Sequence, residues 1–268
     1  MMGEGSGQVK AAALTVRNRV GTVASMGALL FLLAVLLVPA PGQAQSPIEE
    51  ARSLIASYHT DLAKLDRARD LLEKSLKTDS QVEAMIVLSR VYFLWGDVRA
   101  STAEEKLQAY ERGREVGKRA VELAPRNPEP HFWYATNTAK WGQTKGVMRS
   151  LFLLPTIREE LDIIFSLAPD HPGAHALAGN VDLEIPAMLG GGVEKAEEHF
   201  RKALKMDPKY TGTRVDLARA LIKQGKYAEA RKELRRVLDE KEPRSYADWT
   251  VKHTKKAKEL LESIRDKG

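Results

Sequence analysis

His171 and His175 stand four residues apart, with Asp182 and Glu184 after them. On one helix, two imidazoles at that spacing could bind zinc. Pro172, however, is a helix-opening residue that leaves His171 outside the helix, and no HExxH run is present. The expectation is a helix-entry histidine and a packed or groove-facing one, with no metal. Gly190-Gly191-Gly192 precedes a helix start, where backbone N–H groups could cradle an anion. The preceding strand and the GxxxxGK[ST] context are missing, so a hairpin tip is expected instead. Trp133, Tyr134 and Trp141 could stack a ligand, but aromatics at helical spacing are read as core. The carboxylate pairs Glu159-Glu160 and Glu197-Glu198 are read as solvated helix faces and not as an acid–base couple. The chain has no Cys, which excludes disulfides, thiolate metal sites and cysteine catalysis. With no nucleophile–base pair or metal constellation, the chain is expected to be no enzyme and to need no cofactor.

Residues 146–154 are of a different kind. Val147, Met148, Leu151, Phe152 and Leu154 give an apolar face, with Lys145 and Arg149 on the polar side. Two readings stand: the segment folds back into the core, or it forms a subunit contact or lines an apolar passage. Pro155 is expected to stop it, leaving a separate piece at a hairpin tip with functional surface.

The elements that must position these residues are helical. From residue 47 onward the chain divides into two-helix units of the tetratricopeptide type. Where two helices cross closely, only a small side chain fits. That position reads Ala56, Ser89, Ala135, Gly179 and Ala218 in the first helices, and Ala68, Gly113, Ile157, Ala196 and Ala230 in the second. The separations are 12, 24, 22, 17 and 12, so the middle three units carry insertions of 12, 10 and 5 residues at their tips. Pro125, Pro128, Pro169, Pro172 and Pro208 fall between units, and Gly96 and Gly142 are expected as helix C-caps. Residues 250–267 are read as a capping helix. The fold expected is all-α: a right-handed solenoid of five helical hairpins with a C-terminal cap.

In such a solenoid the residue after each small position faces the inner groove. That nominates Ser57, Arg90, Thr136, Asn180 and Arg219, with Lys140 and Lys223 a turn further on, as a ligand or partner groove suited to carboxylates.

Composition agrees with a helical globular chain: 43% hydrophobic, 29% charged and only 6% aromatic. The net charge is +6, and three cations against one anion in the first 44 residues leave +4 for the remainder. Basic residues alternate with acidic ones, so no nucleic-acid partner is expected. Lys10, Arg17 and Arg19 precede an unbroken apolar run at residues 29–38, with small residues at Gly42 and Ala44. Residues 1–44 thus read as an export signal, with residues 45–268 as the repeat domain in the periplasm; an inner-membrane anchor at residues 23–40 is the alternative. Any membrane contact is expected only through that uncleaved segment.

The runs HFWYATNTAKWGQTKGVMRSLF, IPAMLGGGVEKAEEHFRKALKMDP and RVDLARALIKQGKYAEARKEL, then ADW, resemble the T component of tripartite, TRAP-type transporters over residues 47–264. That resemblance implies a periplasmic scaffold that pairs with a substrate-binding protein, homo-oligomerises (as a trimer in one form) and carries a ligand passage. Such members are typically lipoproteins, and this chain has no lipid-accepting Cys. A more distant similarity to regulator-of-microtubule-dynamics proteins rests on the same repeats, and the secretory signal speaks against that role. The function expected is a non-enzymatic transporter scaffold for acidic or partly apolar small molecules. The alternative is a cell-envelope scaffold that binds peptide segments in its groove.

Overall fold

Ser46 accepts a hydrogen bond from the Glu49 amide, and Pro47 follows it as a first helical residue, so α1 (Pro47–Ala56) starts where a cap and a pre-set φ coincide. Asn127 before α5 (Pro128–Lys145) and His171 before α7 (Pro172–Glu184) repeat the device. The computed structural model describes residues 45–268; the expected signal or anchor segment lies outside the described residues. Within the compact unit Ala44–Gly268 the remaining helices are α2 (Ala63–Leu76), α3 (Val82–Leu94), α4 (Ala103–Leu123), α6 (Val147–Leu167), α8 (Val193–Met206), α9 (Thr211–Lys223) and α10 (Tyr227–Asp239). A short α11 (Tyr246–Asp248) runs through a π-turn at Trp249–His253 into α12 (Thr254–Ser263).

Consecutive helices pack in pairs, α1 with α2 through α9 with α10, and α12 covers α10. The fold is therefore the expected all-α repeat of five hairpins with a cap, with no strand among the described residues. The seams are built from the predicted small residues. Ala218 and Ala230 are fully buried, and a Cβ on Gly179 would stand 2.6 Å from the Phe200 ring. At the second seam Ser89 Oγ donates to the Gly113 carbonyl at 2.8 Å, and Asn137 Nδ2 donates to the Ser89 carbonyl at 3.1 Å. This stitches α3, α4 and α5 together through buried polar groups.

Four expectations need correction. In the first unit Ala56 is exposed, and the small buried residue is Ala51. The 3₁₀ turn Tyr58–Thr60 is the extension that hid this shift. Gly96 and Gly142 do not cap helices: α3 runs on into a π-turn at Trp95–Arg99, and α5 continues to Lys145. Both glycines instead permit close approach, of the Tyr110 ring to Gly96 and of Ser150 and Leu153 to Gly142. Pro155 does not end the 146–154 segment; α6 passes through it. The lost hydrogen bond is tolerated because Pro155 is exposed while Leu154 and Ile157 on either side are buried. The insertion is a lengthening of α5 and α6, joined by Gly146 alone at φ 108°. Finally, Glu160 and Glu197 turn inward, because neighbours on a helix point about 100° apart.

One repeated contact joins the units. His131, His175 and Arg214 each lie six residues after an inter-unit proline and bond its carbonyl: Pro125 at 3.0 Å, Pro169 at 3.2 Å and Pro208 at 2.8 Å. Each also reaches the second helix of its own hairpin, at Glu160, His199 and Glu233 respectively. The turn between units and the hairpin after it are thereby locked by one side chain.

Candidate functional site

The first helices α3, α5, α7 and α9 line an inner cavity of about 560 Å³, completed by the start of α6 and by the C-terminal segment. One wall is apolar: Phe132, Trp133, Leu151, Leu154, Leu177 and Val181. α6 splits its apolar residues by the helical period. Val147, Leu151 and Leu154 line the cavity, whereas Met148 and Phe152 point away from it and are exposed.

The opposite wall is charged, and its charges are already matched. Lys140 donates to Asp97 Oδ1 at 3.0 Å, and Lys252 donates to Asp97 Oδ2. Both ammonium groups also lie over the Phe93 ring, at 5.7 and 5.3 Å from its centre. Burial alone would raise the Asp97 carboxyl, but the two ammonium groups hold it well below the usual carboxylate range. Burial opposes the charge on Lys252 as well, and Asp97 with Asp248 outweighs it and raises its pKa. Further along, Arg219 donates to Asp216 at 3.1 Å and to Glu184 at 2.6 Å, while Asn180 Nδ2 donates to Asp216 at 2.9 Å.

Lys252 arrives from the far end of the chain. The cap crosses back to the first hairpin: Ala247 joins the core of α1, α2 and α3, and Tyr58 Oη donates to Asp248 at 2.7 Å. The Tyr58 phenol is pushed up by burial and by Asp248, so it remains a donor. Trp249 Nε1 meanwhile donates to the Val237 carbonyl of α10 at 2.7 Å. The last and first hairpins are thus bridged by one segment that closes the inner face. Arg244 stacks 4.6 Å from the Tyr210 ring, and Thr211 Oγ1 lies 2.9 Å from His253 Nδ1, fixing the same segment to α9.

Of the nominated groove residues, Thr136, Lys140, Asn180 and Arg219 come together around this cavity. Arg90 lines a separate depression of about 270 Å³ with Arg52, Glu83 and Glu129. Lys223 is spent on the Leu183 carbonyl at 2.8 Å, and Ser57 accepts from Lys64 outside the cavity. Lys140 and Arg219, expected to await a carboxylate ligand, therefore hold carboxylates of the chain itself. Asp97, Asp216, Asp248, Lys252 and His253 were not nominated. Asp216 was legible as a partner three residues before Arg219; the others come from turns and the cap, which the repeat frame does not number.

The remaining chemical candidates are structural. His171 Nδ1 accepts from the Ala174 amide at 2.9 Å, as a helix-entry histidine does. Among the described residues no three His, Asp or Glu side chains converge on a metal position. The amides of Gly190, Gly191 and Gly192 donate to Ala187, Pro186 and Asp182 carbonyls, so this tip spends its N–H groups on itself. Trp133 is a half-buried wall of the cavity, and Trp141 lies beneath Arg114, Lys145 and Arg149 at 4.9, 5.6 and 5.8 Å.

The family model described as Regulator of microtubule dynamics protein 1-3 matches residues 47–188, and a tetratricopeptide repeat model matches residues 191–248. Regulator of microtubule dynamics protein 2 of Rattus norvegicus is 24% identical over 194 residues, 65% of this chain and 47% of that protein. Regulator of microtubule dynamics protein 3 of Bos taurus is 26% identical over 175 residues, 56% of this chain and 37% of that protein. The match to this chain thus spans less than half the length of these relatives. A crystal structure of a thermophilic TPR protein from Thermus thermophilus superposes with a TM-score of 0.58 at 21% identity, covering 77% of this chain and 98% of that one, which shows the fold. The matched family is the one expected to be the more distant similarity, and nothing in these matches supports the expected resemblance to the transporter T component.

Proposed function

We propose that this chain, which belongs to the regulator of microtubule dynamics protein 1-3 family, is a non-enzymatic scaffold whose inner cavity takes a peptide segment of a partner. The observation that carries this is the cavity's division into an apolar wall and a charged wall that is already neutralised. A neutral, partly aromatic groove gains affinity from apolar side chains, not from a free charge. The transporter role and its substrate-binding partner have no support of this kind and are not part of the proposal.

A random peptide library displayed on phage and panned against the chain tests it. Enriched peptides are expected to bind with Kd values of roughly 1–100 μM and to lose binding when Leu177→Trp fills the groove. No enrichment, or binding untouched by Leu177→Trp in a chain that melts normally, sinks the proposal.

A further inference from the structure

The three locks that join successive units are not alike. His131 and Arg214 each pair with a carboxylate, Glu160 or Glu233, but His175 meets a second imidazole, His199. A ring that takes a proton is drawn to a carboxylate, whereas two imidazoles can both become cations and repel. Of the three junctions, the one between α7 and α8 is thus the one that acid turns against itself.

The hydrogen bonds around His175 fix where its proton sits. Its Nε2 lies 3.2 Å from the Pro169 carbonyl, which only accepts, so that nitrogen carries the hydrogen. In the neutral ring Nδ1 is then a bare acceptor, and His199 Nδ1, 3.0 Å away, must donate to it. The ring centres are 5.2 Å apart, so the two nitrogens point at each other instead of converging on a third point. His199 Nε2 is left bare, 3.9 Å from Asp182 Oδ2. A first proton is therefore taken at His199 Nε2, beside Asp182, and leaves the contact whole. A second sets N–H against N–H at 3.0 Å and breaks it.

The surroundings offer that second charge no counterion. From α6 the pair meets the Phe165 ring, 4.7 Å from His175 and 6.2 Å from His199. On α8 Lys202 adds positive charge, and Glu198 is paired with it. Before α7, His171 is held by Glu129, and Asp170 is exposed and screened. Asp182 itself also faces Lys195 and Arg158. Burial keeps both rings below the ordinary imidazole range. The His199 side chain is 26% exposed, which lets water deliver the proton.

α7 also presents Leu177 and Val181 to the apolar wall of the cavity and Asn180 to the charged one. We infer that His175 and His199 form a proton-operated latch, which holds α7 against α8 near neutrality and releases that wall of the cavity once both rings are charged. The consequence for a bound peptide rests on the cavity's proposed role; the latch itself does not.

Hydrogen exchange of the full chain at pH 7.5 and 5, with labelling times scaled to the intrinsic rates, tests it. Fragments from residues 172–206 are expected to exchange about tenfold faster at pH 5, with those from 128–145 and 227–239 unchanged. His199→Gln should remove the gain, because an amide takes no proton and can turn to donate to His175 Nδ1 or accept from it. Nitrogen-15 histidine spectra at pH 7.5 should show His175 as the Nε2–H tautomer and His199 as the Nδ1–H tautomer. The reverse assignment overturns the inference, even if His199→Gln does not fold. So does exchange that is unchanged at pH 5, that rises equally in every hairpin, or that rises as much in His199→Gln. A peptide selected by panning should bind more weakly at pH 5 to the wild type and not to His199→Gln. Opening without loss of peptide affinity overturns the tie to the cavity. A chain that binds no peptide at either pH fails the cavity's proposed role, and the exchange result still decides the latch.

Discussion

The ammonium group of Lys252 donates to the carboxylate of Asp97 across 155 residues of chain, and with it the solenoid's last element fastens onto its second hairpin. Asp248, four residues earlier, takes the hydroxyl of Tyr58 in the first hairpin. A cap that only covered an apolar end would need neither contact. These two make it a strap across the inner face.

Breaking the strap should cost stability and local order together. Lys252→Met leaves Asp97 with Lys140 alone and is expected to destabilise by roughly 1–3 kcal/mol, since a half-broken buried pair is costly. Urea unfolding measures this. Limited proteolysis should show faster cutting near residues 240–246 in the variant, and an unchanged cutting rate would mean that the strap is held by Ala247 and Trp249 instead.

Stability should fall with acid in a window set by histidine. Burial pushes the His253 imidazole down to about 4, against the opposing pull of Asp248. Burial also lowers His175 and His199, whose Nδ1 atoms lie 3.0 Å apart, and charge on His175 lowers His199 further. The unfolded chain takes up these protons near pH 6.5, whereas the folded chain resists until lower pH. Unfolding therefore binds protons there, and the contribution is full above about 6.5 and lost as pH falls towards 4. For His253 the upper bound is about 3 kcal/mol. Urea midpoints at pH 7.5 and 5 should differ in the wild type and differ less in His253→Asn. A wild-type midpoint that rises on acidification contradicts the sign.

The close crossings are tested at Gly113. A Cβ there would stand 2.4 Å from Asn137 Oδ1, in the polar stitch of α3, α4 and α5. Gly113→Ala should cost roughly 1–3 kcal/mol by overpacking, read from thermal or urea melts. An unchanged midpoint would show that Asn137 moves aside freely.

The two faces of α6 should separate cleanly. Leu154→Ala removes a buried side chain and is expected to cost about 2–4 kcal/mol. Phe152→Ser, on the exposed face, should change stability by less than about 0.5 kcal/mol. Replacing residues 145–154 by a Gly-Ser bridge should destabilise the fold, because it takes Leu154 and two turns of α6 with it. Equal melting points for the two point variants would mean that the segment is not packed as described.

How far the sequence carried can be seen residue by residue. Ala218 and Ala230 announced the last hairpin because their spacing, the Gly225 turn and the flanking prolines agree without interruption. The first hairpin misled because Ala51 and Ala56 are both small, and only the folded chain shows which one is covered. Pro155 reads as a stop because local chemistry forbids its hydrogen bond, while packing of Leu154 and Ile157 overrides that. The Pro-to-His spacing of six at residues 125–131 and 169–175 is a sequence signal of the contact that joins the units. Asp97 with Lys252 was not visible, since that pairing depends on how far the hairpins turn before the chain returns. The groove nominees Lys140 and Arg219 were located by the repeat frame; their carboxylate partners lie partly outside it.

The central claim is that a partner's peptide enters the strapped inner cavity. The most direct measurement places the photo-crosslinker benzoylphenylalanine at Leu177 on the cavity wall or at Arg265 beyond α12, and irradiates each with a peptide selected by panning. A covalent adduct that an excess of unlabelled peptide abolishes is expected from position 177, and none from position 265. Adducts of equal yield at both positions, or at 265 alone, would contradict it.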